Sequence, residues 1–361
     1  ISERMAHLTK PNPVHYEQGR VQCMSRNLCQ RGCPLGGYFS SNSSTLPWAA
    51  KTGNMTLRPF SVVHSLIYDE QKQKATGVRV IDTNTKEVIE YYARVIFVNA
   101  GALNSNLLLL NSTSNRFPRG LGNDNGLMGK FVAFHNYSAR ITAETERFSE
   151  YTTVGQNPGG GYIPRFRNLF KQETGFLRGY AAGFSAYRSS HTDRDGIGED
   201  LKNNLLNPQI GPWKVGSHMM GETIPKETNM VSLDHTNKDD WDMPLLKISV
   251  VYDDNDEKMR EDYFEQLSEM LTSAGFKNIK TQRSTQSPGL DIHEMGGIRM
   301  GNDPETSLLN RWNQVHSCKN VYVTDGACMT STSTQNPSLT YMALTARAVD
   351  HAVGELKRGE L

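Results

Sequence analysis

Three groups of polar residues near the end of the chain could together oxidise an alcohol. In chain order they are His293 with Gly296-Gly297, Asp325-Gly326, and Asn336-Pro337. Oxidation to a carbonyl compound removes a proton from the hydroxyl group and a hydride from the carbon. A histidine can take the proton near neutral pH, and a second polar side chain can hold the oxygen. Because side chains do not accept hydride, this chemistry predicts a bound cofactor.

Each group also has a purely structural interpretation. Asparagine is a favoured N-cap and proline is favoured at the first helical position, which is enough to account for Asn336 and Pro337. A simple loop histidine is as good an interpretation of His293 as a catalytic base. The functional interpretation requires His293 and Asn336 to lie together at the positive end of the helix, where negative charge is stabilised.

Chain length and net charge limit the number of domains and the classes of partner that we expect. The 361 residues exceed what one hydrophobic core usually serves, which predicts two domains. The formal net charge is +1, so no global field recruits nucleic acid or an anionic membrane. The longest apolar runs, residues 95–98 and 107–110, are too short to cross a bilayer. We therefore expect no nucleic-acid partner and no transmembrane segment.

Three of the five cysteines lie close together in a segment rich in glycine, serine and asparagine. Cys23, Cys29 and Cys33 have the spacing C-x5-C-x3-C. Thiolates bind zinc and iron–sulfur clusters, but this spacing fits no common zinc pattern and no fourth ligand is evident. We favour a compact loop with buried thiols or one disulfide, and we predict no metal. A cluster held by the three cysteines is the alternative.

The first 134 residues predict one short helix and several strands. The helix covers residues 45–51 and is stopped by Gly53. Runs rich in β-branched residues and separated by turn residues predict strands at residues 55–59, 62–68, 76–82 and 87–92. Residues 95–98 are wholly apolar, which is typical of a strand that is covered on both faces in a parallel sheet.

That last strand ends in Asn99-Ala100-Gly101, and a helical pattern follows at residues 103–112. Small residues where a strand turns into a helix let the phosphate or adenine of a ligand approach the backbone. Many α/β proteins have such turns for packing alone. A nucleotide site and a packing turn are therefore both open interpretations.

Residues 135–290 have the alternating pattern of a second domain with a largely antiparallel sheet, including strand-like segments at residues 228–234 and 244–252. One helix is clear, with Asn255 predicted as its N-cap and Gly275 at its end. Its large apolar residues have helical spacing and predict core packing rather than a cofactor site; they are Met259, Tyr263, Phe264, Leu267, Met270 and Leu271.

Taken together and in order, the C-terminal motifs resemble those of the glucose–methanol–choline (GMC) family of FAD-dependent oxidoreductases. They are H-x-x-G-G-x-R-M-G at residues 293–301, N-V-Y-V-x-D-G at residues 320–326 and N-P-S-L-T at residues 336–340. Residues 299–307, RMGNDPETS, resemble the pyranose oxidase branch. The cysteine segment is similar to that of gluconate- and fructose-dehydrogenase-like members, some of which carry an iron–sulfur cluster there.

The resemblance implies a mixed α/β fold with two domains. Residues 1–134 and 291–361 would form an incomplete FAD-binding, Rossmann-like domain, and residues 135–290 a substrate-binding domain with a largely antiparallel sheet. The implied cofactor is FAD. The implied small-molecule substrate is a sugar or glycoside, oxidised at a secondary hydroxyl with the hydride passing to flavin N5. An electron-acceptor subunit is a further implied partner.

The resemblance also assigns roles to individual residues. His293 matches the family's catalytic base, and Asn336 matches the second catalytic residue, which is histidine or asparagine in different branches. The implied FAD contacts are Val63 at the adenine, Ala100 and Gly101 at the nucleotide turn, Asp325 and Gly326 along the diphosphate and ribityl chain, and Pro337 and Ser338 at the flavin ring.

One departure from the family pattern is large. GMC enzymes begin with a strand and a G-x-G-x-x-G turn that binds the FAD diphosphate, and this sequence contains no such turn. The chain therefore resembles the C-terminal two thirds of such an enzyme, and we expect it to bind FAD weakly or not at all by itself. The alternative functions are a non-catalytic carbohydrate-binding or scaffold protein with the GMC fold, and an electron-transfer dehydrogenase with a cluster at the three cysteines.

Overall fold

Helices and strands are interspersed along the chain. The computed structural model describes residues 7–26, 29–151, 160–285, 287–289 and 292–361. The helices are α1 (Pro13–Glu17), α2 (Thr45–Lys51), α3 (Ala102–Asn111), α4 (Glu199–Leu206), α5 (Asp254–Ser273) and α6 (Ser338–Arg358). Within these ranges no helix is both long and apolar enough to cross a membrane.

The strands of the described residues form four sheets. They are β1 (Ser61–Asp69), β2 (Lys74–Asp82), β3 (Val88–Tyr92), β4 (Ile96–Val98), β5 (His135–Asn136), β6 (Ala139–Thr145), β7 (Gly161–Ile163), β8 (Tyr180–His191), β9 (Gln209–Glu222), β10 (Met230–Lys238), β11 (Pro244–Ser249), β12 (Lys277–Arg283), β13 (Gln314–Val315) and β14 (Cys318–Val323). The sheet orders are β1-β2-β3, β13-β14-β4, β10-β11 and β12-β6-β9-β8-β7, and β5 pairs with β9. The mixed α/β fold with largely antiparallel sheets is confirmed.

A parallel pair of short strands joins two segments that are far apart in sequence. β4 lies beside β14 with Ile96 opposite Val321 and Val98 opposite Val323. Both strands are largely buried, as the apolar runs at residues 96–98 and 321–323 predict. Because parallel strands end at the same edge of a sheet, the turn after β4 and the turn after β14 emerge side by side. These are the two turns in which the sequence predicts ligand contacts.

Three of the four strands predicted between residues 55 and 92 are confirmed as the antiparallel meander β1-β2-β3. The fourth prediction, a strand at residues 55–59, is wrong, because those residues have no regular structure. Pro59 has no N–H group for a ladder hydrogen bond. Phe60 then takes a left-handed conformation with φ 57°, which ends any extended run there.

The largest sheet buries one face against α5. Alternate residues of β6, β8 and β9 point to that helix and form a core with it; they include Ile141, Tyr180, Ala182 and Met219. Their neighbours in the strands point the other way, where Ala181 and Met220 pack with Tyr137. Tyr137 in turn lies 6.3 Å from His293, measured between ring centroids. The second face of the sheet therefore lies on the side of the loop that carries His293.

The helix α5 has the predicted extent but a different N-cap. The expectation that Asn255 caps it is wrong: Asp253 accepts from the backbone of Asp256, whose side chain accepts in return from the Asp253 backbone. Two carboxylates near the positive helix end make this capping box favourable. Asn255 instead bonds to the backbone of Leu177. Gly275, with φ 83°, follows the last turn as predicted.

The predicted core face of α5 is confirmed at most of its positions. Met259, Tyr263, Leu267 and Leu271 are buried against the large sheet, and Phe264 packs beside them half-buried. Met270 is 40% exposed although it falls on the same helix face, and it lies in the last turn of α5. The segments predicted as strands at residues 228–234 and 244–252 correspond to the pair β10-β11.

Candidate functional site

The backbone brings two histidines together across a short antiparallel contact. Ala133 and Met295 exchange two backbone hydrogen bonds, of 2.9 and 3.0 Å. In an antiparallel register, the residue two positions after Ala133 lies opposite the residue two positions before Met295. These residues are His135 and His293. Their Nδ1 atoms lie 2.8 Å apart, which is a hydrogen bond. No sequence motif marks His135 as a functional residue.

The loop that carries His293 is held in an uncommon conformation. His293 has φ 70°, a left-handed value that non-glycine residues seldom adopt and that is often found at functional sites. The next turn is anchored by Gly296, which donates to the Gly326 carbonyl at 3.0 Å. A Cβ at Gly296 would collide with the backbone carbonyl of Phe131. Glycine is therefore required at this point for the loop to lie against both neighbouring segments.

Asn336 lies beside His293 and does not cap the helix. Its Nδ2 is 3.3 Å from Nε2 of His293. The expectation that Asn336 is the N-cap of α6 is wrong, because Pro337 occupies that position with φ −85° and ψ −8° and makes no side-chain cap bond. Since Pro337 already has helical angles, the helix starts one residue later. The start of α6 thus has no side-chain cap, and Ser338 there is exposed.

Burial keeps both histidines neutral near pH 7. Burial and the neighbouring His135 lower the pKa of His293 to about 4. The pKa of His135 is also lowered by burial, against the opposing effects of the Thr332 and Ser333 backbone and of Glu222. His135 is only 1% exposed. A neutral histidine has one ring nitrogen with a lone pair, which is what a proton acceptor needs.

A buried carboxylate fixes the loop that follows these histidines. Glu222 lies opposite His135 in the β5-β9 pairing. It accepts from the Ser331 hydroxyl at 2.5 Å, and Arg165 and Arg178 each lie 3.6 Å from it. With two guanidinium groups nearby, its charge is compensated despite burial. Glu222 therefore ties β9 to the loop that leads to Asn336.

Asp325 connects the two turns at the edge of the parallel sheet. Its carboxylate accepts from the backbone N–H of Gly101 at 3.0 Å and from the Ser105 hydroxyl at 2.5 Å. Its other oxygen accepts from the Ala327 N–H at 2.9 Å. Burial raises the pKa of Asp325 although these donors lower it. Both carboxylate oxygens are engaged within the protein, so this side chain shapes the turn at Ala100-Gly101.

The residue after Asp325, Gly326, packs against the loop that carries His293. Gly326 is buried, and a Cβ there would collide with the carbonyl of Glu294, the neighbour of His293. The Gly326 carbonyl accepts from Gly296, as described above. The Asp-Gly turn predicted as a cofactor contact is therefore in direct contact with the candidate catalytic loop.

Two other predicted FAD contacts line one cavity. Val63 and Ala100 both border a largely apolar cavity of about 880 Å³ between the β1-β2-β3 meander, β4, α3 and the start of β11. Val63 is 38% exposed. Gly101 has φ 85°, and apart from its chain neighbours no atom of the described residues lies within 4 Å of where its Cβ would be. The turn is therefore open to a ligand that approaches its backbone.

The cysteine segment contains free thiols only. All five cysteines are unpaired, so the disulfide alternative is not realised. Cys29 Sγ lies 3.2 Å from Nε2 of His7, and burial together with nearby Cys23 and Cys33 raises the pKa of Cys29. Among the described residues, no three histidine, cysteine or carboxylate side chains are grouped so that they could hold a metal ion.

Comparison with known families agrees with the motifs and the geometry. A model described as GMC oxidoreductase, for the N-terminal part of the family, matches residues 14–135. A second GMC oxidoreductase model, for the C-terminal part, matches residues 225–345. The chain belongs to the GMC oxidoreductase family. The second match contains His293, Asp325 and Asn336, and the first contains His135.

Similar GMC proteins have names that describe oxidation reactions. The chain is 29% identical to 2-methyl-1,2-propanediol dehydrogenase of Mycolicibacterium austroafricanum and 28% identical to paromamine 6'-oxidase of Streptomyces fradiae, in each case over 96% of this chain and 62% of the relative. It is 24% identical to the fructose dehydrogenase large subunit of Gluconobacter japonicus, over 94% of this chain and 61% of that protein. The chain thus spans about three fifths of the length of these relatives.

Solved structures share the fold at low sequence identity. Aspergillus oryzae formate oxidase, studied for its FAD modification, matches 87% of this chain and 63% of its own with a TM-score of 0.57 and 12% identity. An FAD-dependent oxidoreductase from Chaetomium thermophilum matches 86% of this chain and 63% of its own, with a TM-score of 0.52 and 13% identity. The GMC fold is therefore present in this chain.

Proposed function

We propose that the protein acts as an FAD-dependent GMC oxidoreductase that oxidises a secondary hydroxyl group of a sugar or glycoside. The observation that carries this proposal is the 3.3 Å separation between His293 Nε2 and Asn336 Nδ2 at the uncapped start of α6. Among the described residues, Asn336 provides no side-chain cap for α6, and its amide contacts His293 instead. Because the chain spans about three fifths of its relatives, the activity is proposed for the whole protein.

His293 would accept the proton of the substrate hydroxyl. Its Nδ1 is turned to His135, so Nε2 is the ring atom available to a substrate oxygen that lies beside both His293 and Asn336. With a pKa of about 4, His293 is neutral at pH 7 and can receive a proton. The Asn336 amide would hold the same oxygen and stabilise it while it loses its proton.

Several features of the chain fit an FAD molecule. The uncapped N-terminus of α6 would favour the negative charge of a reduced flavin, next to Pro337 and Ser338. The open turn at Ala100-Gly101 and the cavity bordered by Val63 would receive the nucleotide end. Asp325 and Gly326 would shape the path between these ends. Bound FAD would supply the acceptor for the hydride that leaves the substrate carbon.

The proposed roles also imply a division into domains. We assign residues 1–134 and 291–361 to FAD binding and residues 135–290 to substrate binding. Two hydrophobic cores support this: one joins Leu66 and Leu109 with Ile298 and Val323, whereas the other lies wholly between residues 139 and 271. His293 lies at the junction, where the second face of the large sheet would form the wall of the substrate site.

The name of one relative supports a proposal about branch and partner. One relative is named the large subunit of fructose dehydrogenase. The name indicates a sugar substrate and an enzyme with more than one subunit. We assign this protein to the pyranose oxidase and gluconate dehydrogenase-like branch. A separate subunit that takes the electrons from the flavin is part of this proposal.

Replacement of His293 tests the proposal. A panel of sugars and glycosides is mixed anaerobically with the flavin-loaded protein, and flavin bleaching is followed by stopped-flow absorbance. His293→Ala should slow reduction by roughly 10²–10⁴-fold, the usual range for a general base. His235→Ala, at an exposed histidine on β10, should leave the rate unchanged. Sugar binding without flavin reduction in the wild-type protein would instead favour the non-catalytic alternative.

A further inference from the structure

We propose that His135 is a positioning residue that fixes which ring nitrogen of His293 carries the proton, leaving the lone pair on Nε2. This inference rests on the proposed function, because it takes His293 as the proton acceptor. It assigns a role to a buried histidine in the first of the two family matches.

The first step concerns the far side of the His135 ring. Its Nε2 lies 3.0 Å from the backbone carbonyl oxygen of Thr332. A carbonyl oxygen can only accept a hydrogen bond, so Nε2 of His135 must carry a hydrogen. A neutral histidine carries one ring hydrogen, which leaves the Nδ1 of His135 with a lone pair.

The second step transfers this choice to His293. The two Nδ1 atoms lie 2.8 Å apart, and one of them must donate. Because Nδ1 of His135 holds the lone pair, Nδ1 of His293 is the donor. Nε2 of a neutral His293 is then the bare nitrogen, and it is the atom beside Nδ2 of Asn336. The three contacts agree with one another in this arrangement, in which every donor meets an acceptor.

The groups around His135 keep it neutral. Its side chain is almost fully buried, and the carboxylate that faces it from β9, Glu222, is already committed to Ser331 and two arginines. Tyr137 stands edge-on to its ring at 5.9 Å. Tyr252 donates to its backbone carbonyl at 3.3 Å. A second proton on His135 would put two N–H groups face to face at 2.8 Å, or would force His293 into the opposite tautomer.

The frame that holds this arrangement is rigid on both sides. His135 is paired through its backbone with Glu222, and residues two positions earlier are paired with the His293 loop. The Ser331–Glu222 bond holds the chain next to the Thr332 carbonyl in place. A histidine without such a neighbour exchanges its proton between both ring nitrogens. His135 therefore keeps His293 ready to accept a proton at the atom that faces the substrate.

Nitrogen NMR of histidine-labelled protein tests the inference directly. Protonated and bare ring nitrogens resonate at widely separated 15N shifts, and couplings to the ring carbons' protons identify Nδ1 and Nε2. The wild-type protein at pH 7 should show His293 protonated at Nδ1 and His135 protonated at Nε2. A spectrum with His293 protonated at Nε2 overturns the inference. This measurement uses only the wild-type protein, so it does not depend on whether a variant folds.

A matched pair of substitutions extends the test to catalysis. His135→Asn keeps an oxygen that can accept from Nδ1 of His293, whereas His135→Leu has the same branched shape without an acceptor. The leucine variant should lose the Nδ1-protonated form of His293 and lower kcat by roughly 10- to 100-fold, as is typical when an orienting partner is removed. The asparagine variant should retain both the signal and most of the activity. Equal signals and rates for the two variants contradict the inference.

Failure of the proposed function is distinguishable from failure of this inference. If His293→Ala retains full flavin reduction, the function is wrong whatever the tautomer. If His293→Ala is inactive but His135→Leu keeps both the Nδ1-protonated signal and full activity, only the role of His135 is wrong. Thermal unfolding curves of each variant establish that a lower rate is not a loss of folded protein.

Discussion

Nδ2 of Asn336 lies 3.3 Å from Nε2 of His293, although the two residues are 43 positions apart in the chain. The asparagine could have capped α6, which is the commonest use of this residue before a helix. Its amide is turned to the histidine instead, while Pro337 begins the helix without a side-chain cap. This placement is the one that the proposed function requires, in which both side chains bind the same substrate oxygen.

A shared substrate oxygen predicts a large effect of removing the Asn336 amide. Asn336→Ala should lower kcat by roughly 10²–10³-fold, as removal of one donor to a developing oxyanion does in other enzymes. Because Asn336 does not cap α6, thermal stability should stay within about 1 kcal/mol of the wild type. Stopped-flow flavin reduction and thermal unfolding measure the two quantities. A large stability loss with unchanged kcat would show that Asn336 is structural after all.

A carboxylate at the same position should shift the pH dependence. Asn336→Asp places a negative charge beside Nε2 of His293, which raises the pKa of His293 and favours its protonated, inactive form. The acid limb of kcat/KM should therefore move to higher pH than in the wild type. Gln335→Glu is the control, because it adds the same charge one residue away and should move the limb much less. The two pH profiles are compared in one buffer series at constant ionic strength.

The buried histidines predict how stability changes with pH. His293 has a pKa of about 4 in the folded protein, against 6.5 in an unfolded chain. Between these values the unfolded chain binds a proton that the folded protein does not, so the free energy of unfolding falls as pH drops from 6.5 to 4. His293→Gln should have a flatter dependence over this window. Thermal midpoints at pH 7 and pH 5 measure the difference, with exposed His235→Gln as the control.

The close contact of Gly326 with the loop that carries His293 predicts that a larger residue at position 326 displaces this loop. In Gly326→Ala the new Cβ meets the Glu294 carbonyl, and the adjacent His293 must move. Activity should fall by about 10-fold or more, since misplacement of a catalytic group by 1 Å can cost 10²-fold. The control is Gly354→Ala within α6, where the nearest atom is the flexible end of Arg358. That change should stabilise the helix by about 0.5–1 kcal/mol and leave activity intact.

The carboxylate of Asp325 predicts a link between stability and flavin affinity. Asp325→Asn replaces an acceptor of three hydrogen bonds with an amide that can satisfy only some of them. A loss of about 1–3 kcal/mol in the free energy of unfolding is expected for an unsatisfied buried group. FAD affinity should weaken as the Gly101 turn loosens. Ser105→Ala keeps the carboxylate but removes one of its donors and the hydroxyl that accepts from the Ala100 N–H at 3.1 Å. It should have a smaller effect on both quantities than Asp325→Asn, as measured by urea unfolding and by fluorescence titration of flavin.

Sequence reasoning predicted the apolar strands and the large helix because their signals are local. Residues 95–98 are uniformly apolar and contain the strand Ile96–Val98, and the stripe from Met259 to Leu271 has helical spacing. Asp253 and Asn255 are both good caps, and the choice between them depended on the reciprocal bond with Asp256. That bond is not visible in a count of residue types.

The candidate site was predicted only in part, for a reason of long-range geometry. His293 and Asn336 were found through their motifs, and the structure brings them together. His135 was missed because a lone histidine after an apolar run carries no motif of its own. Only the antiparallel pairing of Ala133 with Met295 gives it a partner, and pairing register between distant segments cannot be read from periodicity.

The contact between His135 and His293 has a consequence for the order of folding. The two residues are 158 positions apart. Ala139, four residues after His135, lies in the core between the large sheet and α5, whereas Ile298, five residues after His293, lies in the core around β4 and β14. Contacts of such sequence separation form late, because long loops must close first. During refolding, tryptophan fluorescence and helical signal should therefore recover before proton-accepting competence does. The contact between the two histidines therefore forms only after both cores have formed and have packed together in the correct register.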